Sequence, residues 1–464
     1  MTPPSPETYR SLADAAWRWV LDQVRWHDGP WIPESMPTSV AMSVIPDVPD
    51  HRDGMHSGVG GLAHVLAEIR LARPWTTEEE SLASAIADRV RGGIPAETDC
   101  TYFDGLVSAI GVLTALEVPG TRAAVDRLVA LATPDGWPQT VVGPPRFRPD
   151  TRINDVTLGT AGVLLGALWA RRTAVAKARA LGEQAADVLM AEMERVPAGA
   201  NWRFVPQRFR TDSDTQMPNL SHGLAGIAAT LALAGAEFNR PDLTAAAVSG
   251  AEHLVTLGDT HGQGFVVPHY IPSDRSDEDE VTYTWCHGAA GTSLLFLALD
   301  RAGVEDIAGE APLAWHRRCL HSVRTSGLPA RLHPGFWDND GRCCGTAGVG
   351  EVFLDSWHRS GNDHDLEFAL HLANTLVERA VLDGPLAYWR FIEHRAPEPL
   401  LPPGVGWMQG AAGIAAYLFH VSRVMHDGPA AAAVPRMDSW WALAPASHPS
   451  HSAPTHGAAS DAET

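Results

Sequence analysis

The stretch that decides the fold is Gly341-Arg342-Cys343-Cys344-Gly345-Thr346-Ala347-Gly348-Val349-Gly350, in which two adjacent cysteines stand directly before a Gly-x-x-Gly step. The segment Trp285-Cys286-His287-Gly288-Ala289-Ala290-Gly291 repeats the same frame, with its cysteine in the matching place. The whole chain has only five cysteines, and three of them stand in equivalent positions of two related segments, which indicates a shared function. Because thiolates suit zinc, the two segments predict a zinc site in a repeat protein.

The frame occurs seven times: a small or polar residue, a glycine, two further residues, a second glycine and then an apolar helical run. The intervals between first glycines range from 47 residues (Gly58 to Gly105) to 65 residues (Gly223 to Gly288), which is room for two helices and their loops. Helix-breaking glycines without a repeat would explain one or two instances, but not seven in phase. The frame at Gly105 is weakened. The first glycines of the seven frames are Gly58, Gly105, Gly159, Gly223, Gly288, Gly345 and Gly410.

A second set of helices is predicted in the intervals, where apolar and polar residues alternate with helical spacing. Each of these runs precedes one glycine-headed helix, which gives seven pairs. One run follows Thr76, and Glu79 three residues later completes a capping-box signal. The runs are residues 8–26, 77–92, 120–132, 173–191, 241–257, 312–325 and 364–381.

The two sets differ in composition. The glycine-headed helices are apolar nearly all round, as buried helices are, whereas the others carry charge on one face. This predicts an all-α fold, an α/α toroid of seven inner and seven outer helices, in which glycine and alanine let neighbouring backbones approach at one end. Short β-like pieces are expected in the connections, at Trp202–Val205, Gly264–Val267 and Ala387–Phe391. We expect a toroid domain over residues 1–427 and a disordered Pro/Ala/Ser/His-rich tail over 428–464.

Composition excludes several classes of function. The 464 residues are 45% apolar and 19% charged, which is typical of a folded protein. The formal net charge of -20, without a basic face or polybasic segment, makes nucleic acid and anionic membranes unlikely partners. The first residues lack the pattern of a signal peptide, and no apolar run is long enough to span a bilayer. An odd number of cysteines then favours reduced thiols in the cytoplasm.

If all inner helices start at one end of the ring, the residues before their first glycines meet at one mouth. Cys286, Cys343 and Cys344 fall in repeats five and six, which are neighbours, and His222 falls in repeat four. Asp155 lies a few residues before the third inner helix. Three thiolates leave the fourth position of one zinc ion open for a substrate thiol or water, which is the pattern of a catalytic site.

Each of these residues also has an ordinary structural interpretation. His222 could be a buried, hydrogen-bonded histidine, and Asp155 could only cap a helix. His287 is the one residue that could close the zinc site. Three further residues line the mouth by register: His56, Asp104 and Gln409. The remaining cysteines, Cys100 and Cys319, lie outside the repeat frame and are expected to be ordinary thiols.

These residues resemble the lanthipeptide (lantibiotic) cyclases and LanC-like proteins, over about residues 10 to 425. The most specific pieces are Trp285-Cys286-His287-Gly288, Cys343-Cys344-Gly345, Ser221-His222-Gly223-Leu224-Ala225-Gly226 and Asn154-Asp155-Val156-Thr157-Leu158-Gly159-Thr160-Ala161-Gly162. The resemblance implies an α/α toroid that holds one zinc ion. It also implies the addition of peptide cysteine thiols to dehydroalanine or dehydrobutyrine, which forms lanthionine or methyllanthionine rings.

The resemblance assigns roles residue by residue. Cys286 and Cys343 match the two zinc cysteines of the family. Cys344 stands where most standalone cyclases have a histidine ligand, although a subset, mainly among bifunctional synthetases, is similar in using a third cysteine. His287 stands where a non-ligand is common, so it is not counted as a ligand. His222 matches the acid–base histidine, and Asp155 matches the active-site aspartate.

Other functions stay open at this stage. A prenyltransferase-like toroid would need mixed zinc ligands and a basic diphosphate pocket, and the three-thiol set and the acidic charge count against it. A toroidal glycosidase would rest on paired carboxylates and would have no use for Cys343 and Cys344. A non-catalytic LanC-like scaffold that binds a peptide, or an enzyme that adds glutathione to dehydro residues, fits the same motifs. The expected substrate is a dehydrated precursor peptide. Since no dehydratase or kinase-like region is seen, a separate dehydratase or kinase/lyase partner is expected to supply it.

Overall fold

The computed structural model describes residues 4–36, 48–140, 148, 150–173, 175–209, 215–272, 280–330, 339–392 and 400–443. These residues form fourteen α-helices in two alternating sets. The outer set is α1 (Pro6–Asp22), α3 (Thr77–Gly93), α5 (Thr121–Leu131), α7 (Ala178–Ala191), α9 (Pro241–Leu257), α11 (Pro312–Thr325) and α13 (Asp363–Arg379). The inner set is α2 (Leu62–Ala72), α4 (Leu106–Ala115), α6 (Thr160–Arg172), α8 (Leu224–Phe238), α10 (Ala289–Arg301), α12 (Thr346–Ser360) and α14 (Ala411–Asp427). The predicted all-α toroid is confirmed.

The inner helices form a closed ring, in which each contacts the next in chain order and α14 contacts α2. Each inner helix packs chiefly on the outer helix that follows it, and α1 packs on α14. The outer and inner helices thus alternate along the chain as predicted, but most outer helices pack on the inner helix before them, and α3 contacts both α2 and α4. The reason is loop length: only Asn239 and Arg240 separate α8 from α9, and so short a connection holds consecutive helices against each other.

The capping box at the start of α3 is present. The Oγ1 atom of Thr76 accepts a hydrogen bond from the Glu79 amide at 3.3 Å, and Glu79 Oε2 accepts one from the Thr76 amide at 2.7 Å. The indole N–H of Trp17 in α1 donates to Glu79 Oε1 at 2.7 Å. One carboxylate thus caps a helix and ties two outer helices together.

Four two-stranded antiparallel pairs lie in the connections that lead from an outer to an inner helix. They are β1 (Arg25–Trp26) with β2 (Pro30–Trp31), β3 (Glu194–Val196) with β4 (Gly199–Asn201), β5 (Val381–Asp383) with β6 (Leu386–Tyr388), and β7 (Phe391–Ile392) with β8 (Leu400–Leu401). The expected piece Ala387–Phe391 overlaps β6 and the first residue of β7. Trp202–Val205 follows β4 without forming a strand, and Gly264–Val267 contributes one bridge, from Val266 to Asp259.

The two glycines of each frame keep the loop before an inner helix folded over its start. A Cβ atom on Gly348 would lie 1.7 Å from the carbonyl oxygen of Arg342, and one on Gly345 would lie 1.9 Å from that of Asn339. Both oxygens belong to the loop of the same repeat. The glycines therefore admit the helix's own preceding loop. Some of them also admit the neighbouring repeat, as expected: a Cβ on Gly226 would lie 2.7 Å from Val156 Cγ2 of the third repeat.

Residues 431–443, here called the C-terminal segment, follow α14 and pack inside the ring. Met437, Trp440, Trp441 and Ala442 are buried, and so are the charged residues Arg436 and Asp438. The tail expected from residue 428 is thus packed as far as residue 443, and residues 444–464 lie outside the described part of the chain. None of the described helices combines the length and apolar character needed to cross a membrane.

Candidate metal centre

The loops before the inner helices are joined into a ring by backbone hydrogen bonds, which position the residues at the mouth. Each bond runs from one repeat to its neighbour. At the junction of repeats three and four, side chains make the connection, as described below. The backbone bonds are Met55 N to Phe103 O, Tyr102 N to Thr157 O, Ser221 N to Cys286 O, Cys286 N to Cys343 O, Cys343 N to Met408 O, and Met408 N to His56 O, at 2.5–3.3 Å.

Three cysteine side chains from repeats five and six converge at this mouth. The Sγ atom of Cys344 lies 3.3 Å from the Sγ atoms of both Cys286 and Cys343. Cys286 and Cys344 are buried, whereas Cys343 is partly exposed. A disulfide would need an S–S distance of about 2.05 Å, so these are three free thiols that face a common point.

The thiols fit a zinc ion. Zn–S bonds of about 2.3 Å in a tetrahedral site place sulfur atoms roughly 3.8 Å apart, so zinc would spread the cluster by about half an ångström. The ligand atoms already lie within 4.8 Å of one another. Three thiolates leave one tetrahedral position free, and the partly exposed Cys343 marks the side that faces solvent. The residues present therefore suit one zinc ion with an open position.

The protonation of the cluster shows why it favours a cation. Burial opposes ionisation of Cys286, but hydrogen bonds from the other two thiols lower the pKa of Cys286 well below its ordinary value. The same hydrogen bonds to Cys286 raise the pKa values of Cys343 and Cys344. The three sulfurs thus favour ionisation of Cys286 over ionisation of the other two thiols, and a divalent cation bound by all three would displace the protons of Cys343 and Cys344.

His222 and Asp155 form the side-chain connection between repeats three and four. His222 Nδ1 lies 2.5 Å from Asp155 Oδ2, and Thr157 Oγ1 lies 2.8 Å from the same carboxylate oxygen and 2.9 Å from the same ring nitrogen. Asp155 is fully buried, while the His222 side chain is 26% exposed. A carboxylate that accepts from Nδ1–H leaves Nε2 as the atom available for proton transfer.

Asp155 also has the structural role that the sequence left open. Its Oδ1 atom accepts a hydrogen bond from the Leu158 amide at 2.7 Å, and its carbonyl accepts one from the Gly162 amide at 3.1 Å. The residue therefore shapes the turn before α6 with one oxygen and holds His222 with the other. The two interpretations of Asp155 are compatible, because each uses a different carboxylate oxygen.

Further imidazoles lie beside this pair. The ring of His287 is 5.3 Å from the ring of His222 and 4.5 Å from that of His269, which is buried. The group of potential ligand atoms within 4.8 Å of one another at the mouth consists of the three thiols Cys286, Cys343 and Cys344. His56 lies on the other side of the mouth, where burial lowers its pKa to about 4 although Cys286 acts in the opposite direction. His56 is therefore a neutral neighbour of the thiols.

Hydroxyl and amide groups complete the surroundings of the thiols. Thr284 Oγ1 lies 3.4 Å from Cys286 Sγ. The hydrogen bond to Cys286 dominates and raises the pKa of Cys343, whereas a hydrogen bond from the Gln409 side chain acts to lower it. Sequence reasoning placed Gln409 and Thr157 at the mouth by register, but gave Thr157 no role and missed Thr284 and His269. The spacings Asp155-x-Thr157 and Thr284-x-Cys286 are the signals that could have shown the two threonines.

Other expected residues lie apart from the thiols. Cys100 and Cys319 are buried, and burial raises the pKa of each well above that of an ordinary thiol. Asp104 lines a pocket of about 260 Å³ with Asp50, Asp53, Glu97 and Asp99. A second group of potential ligands, Glu68, Glu351 and His420, lies inside the ring. Its carboxylates already face Arg423 and Arg436, so it is an ion-pair network and not a vacant cation site.

Comparisons with known proteins agree with the toroid fold. The family model described as "Lanthionine synthetase C-like protein" matches residues 49–423. No match to a curated protein sequence was found. Among solved structures the chain is similar to nisin cyclase, with a TM-score of 0.53 and 14% identity over 80% of this chain and 89% of that one. At this identity the likeness shows the fold alone.

Two further solved structures match with TM-scores below 0.5. One is the Lin0763 protein from Listeria innocua, at a TM-score of 0.48 and 12% identity over 90% of this chain and 98% of that chain. The other is a GH76 α-mannanase from Bacteroides thetaiotaomicron, at 0.46 and 13% identity over 91% and 95%.

Proposed function

The chain belongs to the lanthionine synthetase C-like family, and from this premise we propose that it is a zinc-dependent cyclase that forms thioether rings in a dehydrated peptide. The proposed reaction adds a cysteine thiol to dehydroalanine or dehydrobutyrine and produces lanthionine or methyllanthionine. The observation that carries the proposal is that two groups of functional side chains lie at the same mouth of the ring. Three convergent thiols stand in repeats five and six, and the His222–Asp155 pair stands beside them.

The proposed ligands are Cys286, Cys343 and Cys344, which are supported by their convergence within 4.8 Å. A zinc ion held by them would bind a substrate thiol in its open position and keep it deprotonated near neutral pH. The thiols belong to loops fixed by the backbone bonds from Cys286 to Cys343 and from Cys343 to Met408. The chain's own part is thus to hold three sulfurs in a fixed triangle.

His222 is the proposed acid–base residue. When the sulfur adds to the β-carbon, a C–S bond forms and the α-carbon side becomes an enolate, which needs one proton. Asp155 and Thr157 hold His222 through Nδ1, so Nε2 is the atom that can deliver this proton. The proton lost by the incoming thiol restores the histidine, so the reaction as a whole changes neither mass nor redox state.

Burial supports this assignment of roles. Asp155 is fully buried and fixed by the Leu158 amide, so it can orient His222 but cannot reach a peptide in the mouth. The imidazole of His222 is the exposed member of the pair. Because Asp155 fixes the ring through Nδ1, His222 is the member of the pair that can exchange a proton with a peptide in the mouth.

The proposed partners follow from the chemistry of the reaction. The substrate is a peptide that carries both cysteine and dehydrated serine or threonine residues, so a separate dehydratase or kinase/lyase must act first. The reaction needs free thiols on both enzyme and substrate. A reducing compartment suits it, and we propose the cytoplasm.

The test combines zinc analysis with a model reaction. The purified chain is incubated with a dehydrated, cysteine-containing peptide, and free thiol and peptide mass are followed together. Loss of thiol without change of mass supports cyclisation. A mass gain of one glutathione per dehydro residue, in the presence of glutathione, supports the alternative of glutathione addition.

Two variants serve as matched controls for this experiment. Cys319→Ser removes a buried thiol outside the cluster, whereas Cys343→Ser removes one inside it. Cyclisation that survives the first change and is lost with the second assigns the reaction to the cluster. Stoichiometric zinc with no thiol loss across several peptides would instead favour a non-catalytic peptide-binding scaffold.

A further inference from the structure

The C-terminal segment fills the ring from the end where the inner helices finish. The indole of Trp440 lies between two arginines at the ends of α6 and α10, with Arg172 Cζ at 4.6 Å and Arg301 Cζ at 4.8 Å from its ring. The indole N–H of Trp441 donates to the Leu294 carbonyl at 3.0 Å. This segment starts beyond residue 423, where the family match ends, so it is a feature of this chain that the match does not cover.

Arg436 anchors the segment to α12, the helix that starts next to Cys344. Its Nη2 atom donates to Asp355 Oδ2 at 2.6 Å, and its Nη1 atom lies 3.2 Å from Glu351 Oε2. All three side chains are at least 95% buried. Burial alone would raise the pKa of Glu351, but Arg436, with His420 and Arg342, holds it below its ordinary value. The segment is thus tied to α12 by buried ion pairs.

Asp438 extends this network to the loop that carries the thiols. Arg342 Nη2 donates to Asp438 Oδ2 at 3.3 Å, and both side chains are about 5% exposed. Arg342 is the residue directly before Cys343. Its guanidinium also lies over the indole of Trp407, with Cζ 4.6 Å from the ring.

The backbone around Arg342 transmits this restraint to the cysteines. The amides of Arg342 and Cys343 both donate to the Met408 carbonyl at 2.8 Å, so the peptide between them is fixed at two points. The Arg342 carbonyl sits against Gly348 of α12. Because its guanidinium is fixed as well, Arg342 has little conformational freedom left. The same holds for Cys343, which follows it.

We propose that the C-terminal segment is an internal strut of the metal site, in which Asp438 is a positioning residue that holds Arg342 and thereby the triangle of Cys286, Cys343 and Cys344. The proposal rests on zinc binding by these thiols, but not on cyclisation. Metal ligands are sensitive to the groups that orient them, and loss of such a group typically lowers metal affinity 10- to 100-fold. Without Asp438, Arg342 retains Glu351 as a charged neighbour at 3.9 Å and becomes a poorly paired buried cation.

The experiment compares Asp438→Asn with Asp355→Asn in the full-length chain. Both changes remove one carboxylate from the buried network, but Asp355 pairs with Arg436 and not with the loop residue Arg342. The first readout is the rate of zinc release to a chelator. The second is the alkylation rate of the cluster thiols in the metal-free protein. The melting temperature is measured alongside, so that loss of stability is separated from loss of positioning.

The expected result is that Asp438→Asn releases zinc about 10- to 100-fold faster and exposes Cys343 and Cys344 to faster alkylation. Asp355→Asn loosens the segment without touching Arg342, so it should change both rates clearly less than Asp438→Asn does, even where its melting temperature falls as far. Asp438→Glu, which keeps the charge, should recover part of the loss. Equal rates in the two asparagine variants at equal melting temperature, or an unchanged rate in Asp438→Asn, would overturn the proposal.

A second route keeps the proposal testable if Asp438→Asn does not fold. Arg342→Lys keeps the positive charge but cannot keep both the bond to Asp438 and the stacking on Trp407. It should accelerate zinc release and thiol alkylation in the same direction. Parent-like values for Arg342→Lys contradict the strut, whatever the result of the cyclisation assay. Conversely, an inactive cyclase with the expected release rates would refute the proposed function and leave the strut in place.

Discussion

The Nδ1 atom of His222 lies 2.5 Å from the Oδ2 atom of Asp155, and this bond joins the third repeat to the fourth at the mouth of the ring. It fixes the imidazole and its tautomer from a buried carboxylate. The bond therefore gives the first test of the proposed acid–base role, because it can be broken without touching the thiols.

Asp155→Asn should lower the cyclisation rate by about 100-fold or more, because an amide beside Nδ1 favours the wrong tautomer of the ring. Zinc content should stay at the parent level. The rate is measured as loss of substrate thiol at saturating peptide. Thr157→Val removes a weaker contact to the same ring and should cost less. A parent-like rate in Asp155→Asn would leave the residue with its turn-forming role only.

Cys344→His tests the charge of the proposed zinc centre. Three thiolates around Zn²⁺ carry a formal charge of -1, whereas two thiolates and a neutral imidazole carry none. The more negative centre should make a bound substrate thiolate more nucleophilic, so the parent should react several-fold faster with an alkylating agent. Rates are compared on zinc-loaded proteins with the same model thiol. A faster histidine variant would contradict this account.

Metal stoichiometry should be one zinc per chain. Glu68 and Glu351 are engaged by Arg423 and Arg436, so their group with His420 should not take a second ion. Metal analysis after dialysis should give one equivalent for the parent and for Glu68→Gln. Cys343→Ser should lose most of it. A value of two that falls to one in Glu68→Gln would show that the ion-pair network also binds metal.

Gly348→Ala should destabilise the fold by about 3 kcal/mol or more, because the new Cβ would press on the Arg342 carbonyl, a backbone atom that cannot rotate away. Gly92→Ala in α3 is the matched control, since nothing lies within 4 Å of its Cβ. That change should leave stability equal or raise it by up to about 1 kcal/mol. The measurement is the midpoint of urea unfolding for each variant. Equal midpoints would mean that the loop shifts to accommodate the new Cβ atom.

Asp104 should make stability depend on pH in the mildly acidic range. Burial, aided by Asp99 and Glu34, raises its pKa from 3.8 to about 6, although His51 acts in the opposite direction. The folded protein therefore binds a proton more tightly than the unfolded chain, and stability is lost as pH rises from about 4 to about 6. The loss amounts to up to about 3 kcal/mol.

Asp104→Asn removes this titration. It should raise the melting temperature above pH 6 and leave it nearly unchanged at pH 4, relative to the parent at each pH. Thermal unfolding at a series of pH values measures the difference. A constant offset at all pH values would mean that the carboxyl is not the cause.

The positions of the helices could be predicted from the sequence, because burial of one helix face produces a periodic pattern of apolar residues. The run predicted at 241–257 coincides with α9, and the one at 312–325 coincides with α11. The partner of each outer helix could not be read in the same way. An amphipathic pattern shows which face is buried, but not which neighbour buries it, and α1 packs on α14 at the far end of the chain.

The thiol cluster was visible in the sequence because its residues keep one register in two repeats. The C-terminal segment was not, since it lies within residues 428–464, whose Pro/Ala/Ser/His-rich composition is typical of an exposed tail. Arg436 is buried only because Asp355 and Glu351, some eighty residues earlier, face it inside the ring. Long-range pairing of this kind leaves no periodic trace, and neither does the hydroxyl of Thr157 beside His222.

The contact between α1 and α14 governs the order in which the molecule can be completed. Ser422 donates to the Pro6 carbonyl, 416 positions earlier in the chain, so the first helix has no final partner until almost all the others have been synthesised. Until then the growing arc of helices exposes the apolar flanks of its two open ends to solvent, where it is prone to aggregation. Residues 341–345, which carry two of the three clustered thiols, are likewise translated before residues 431–443, whose Asp438 binds Arg342.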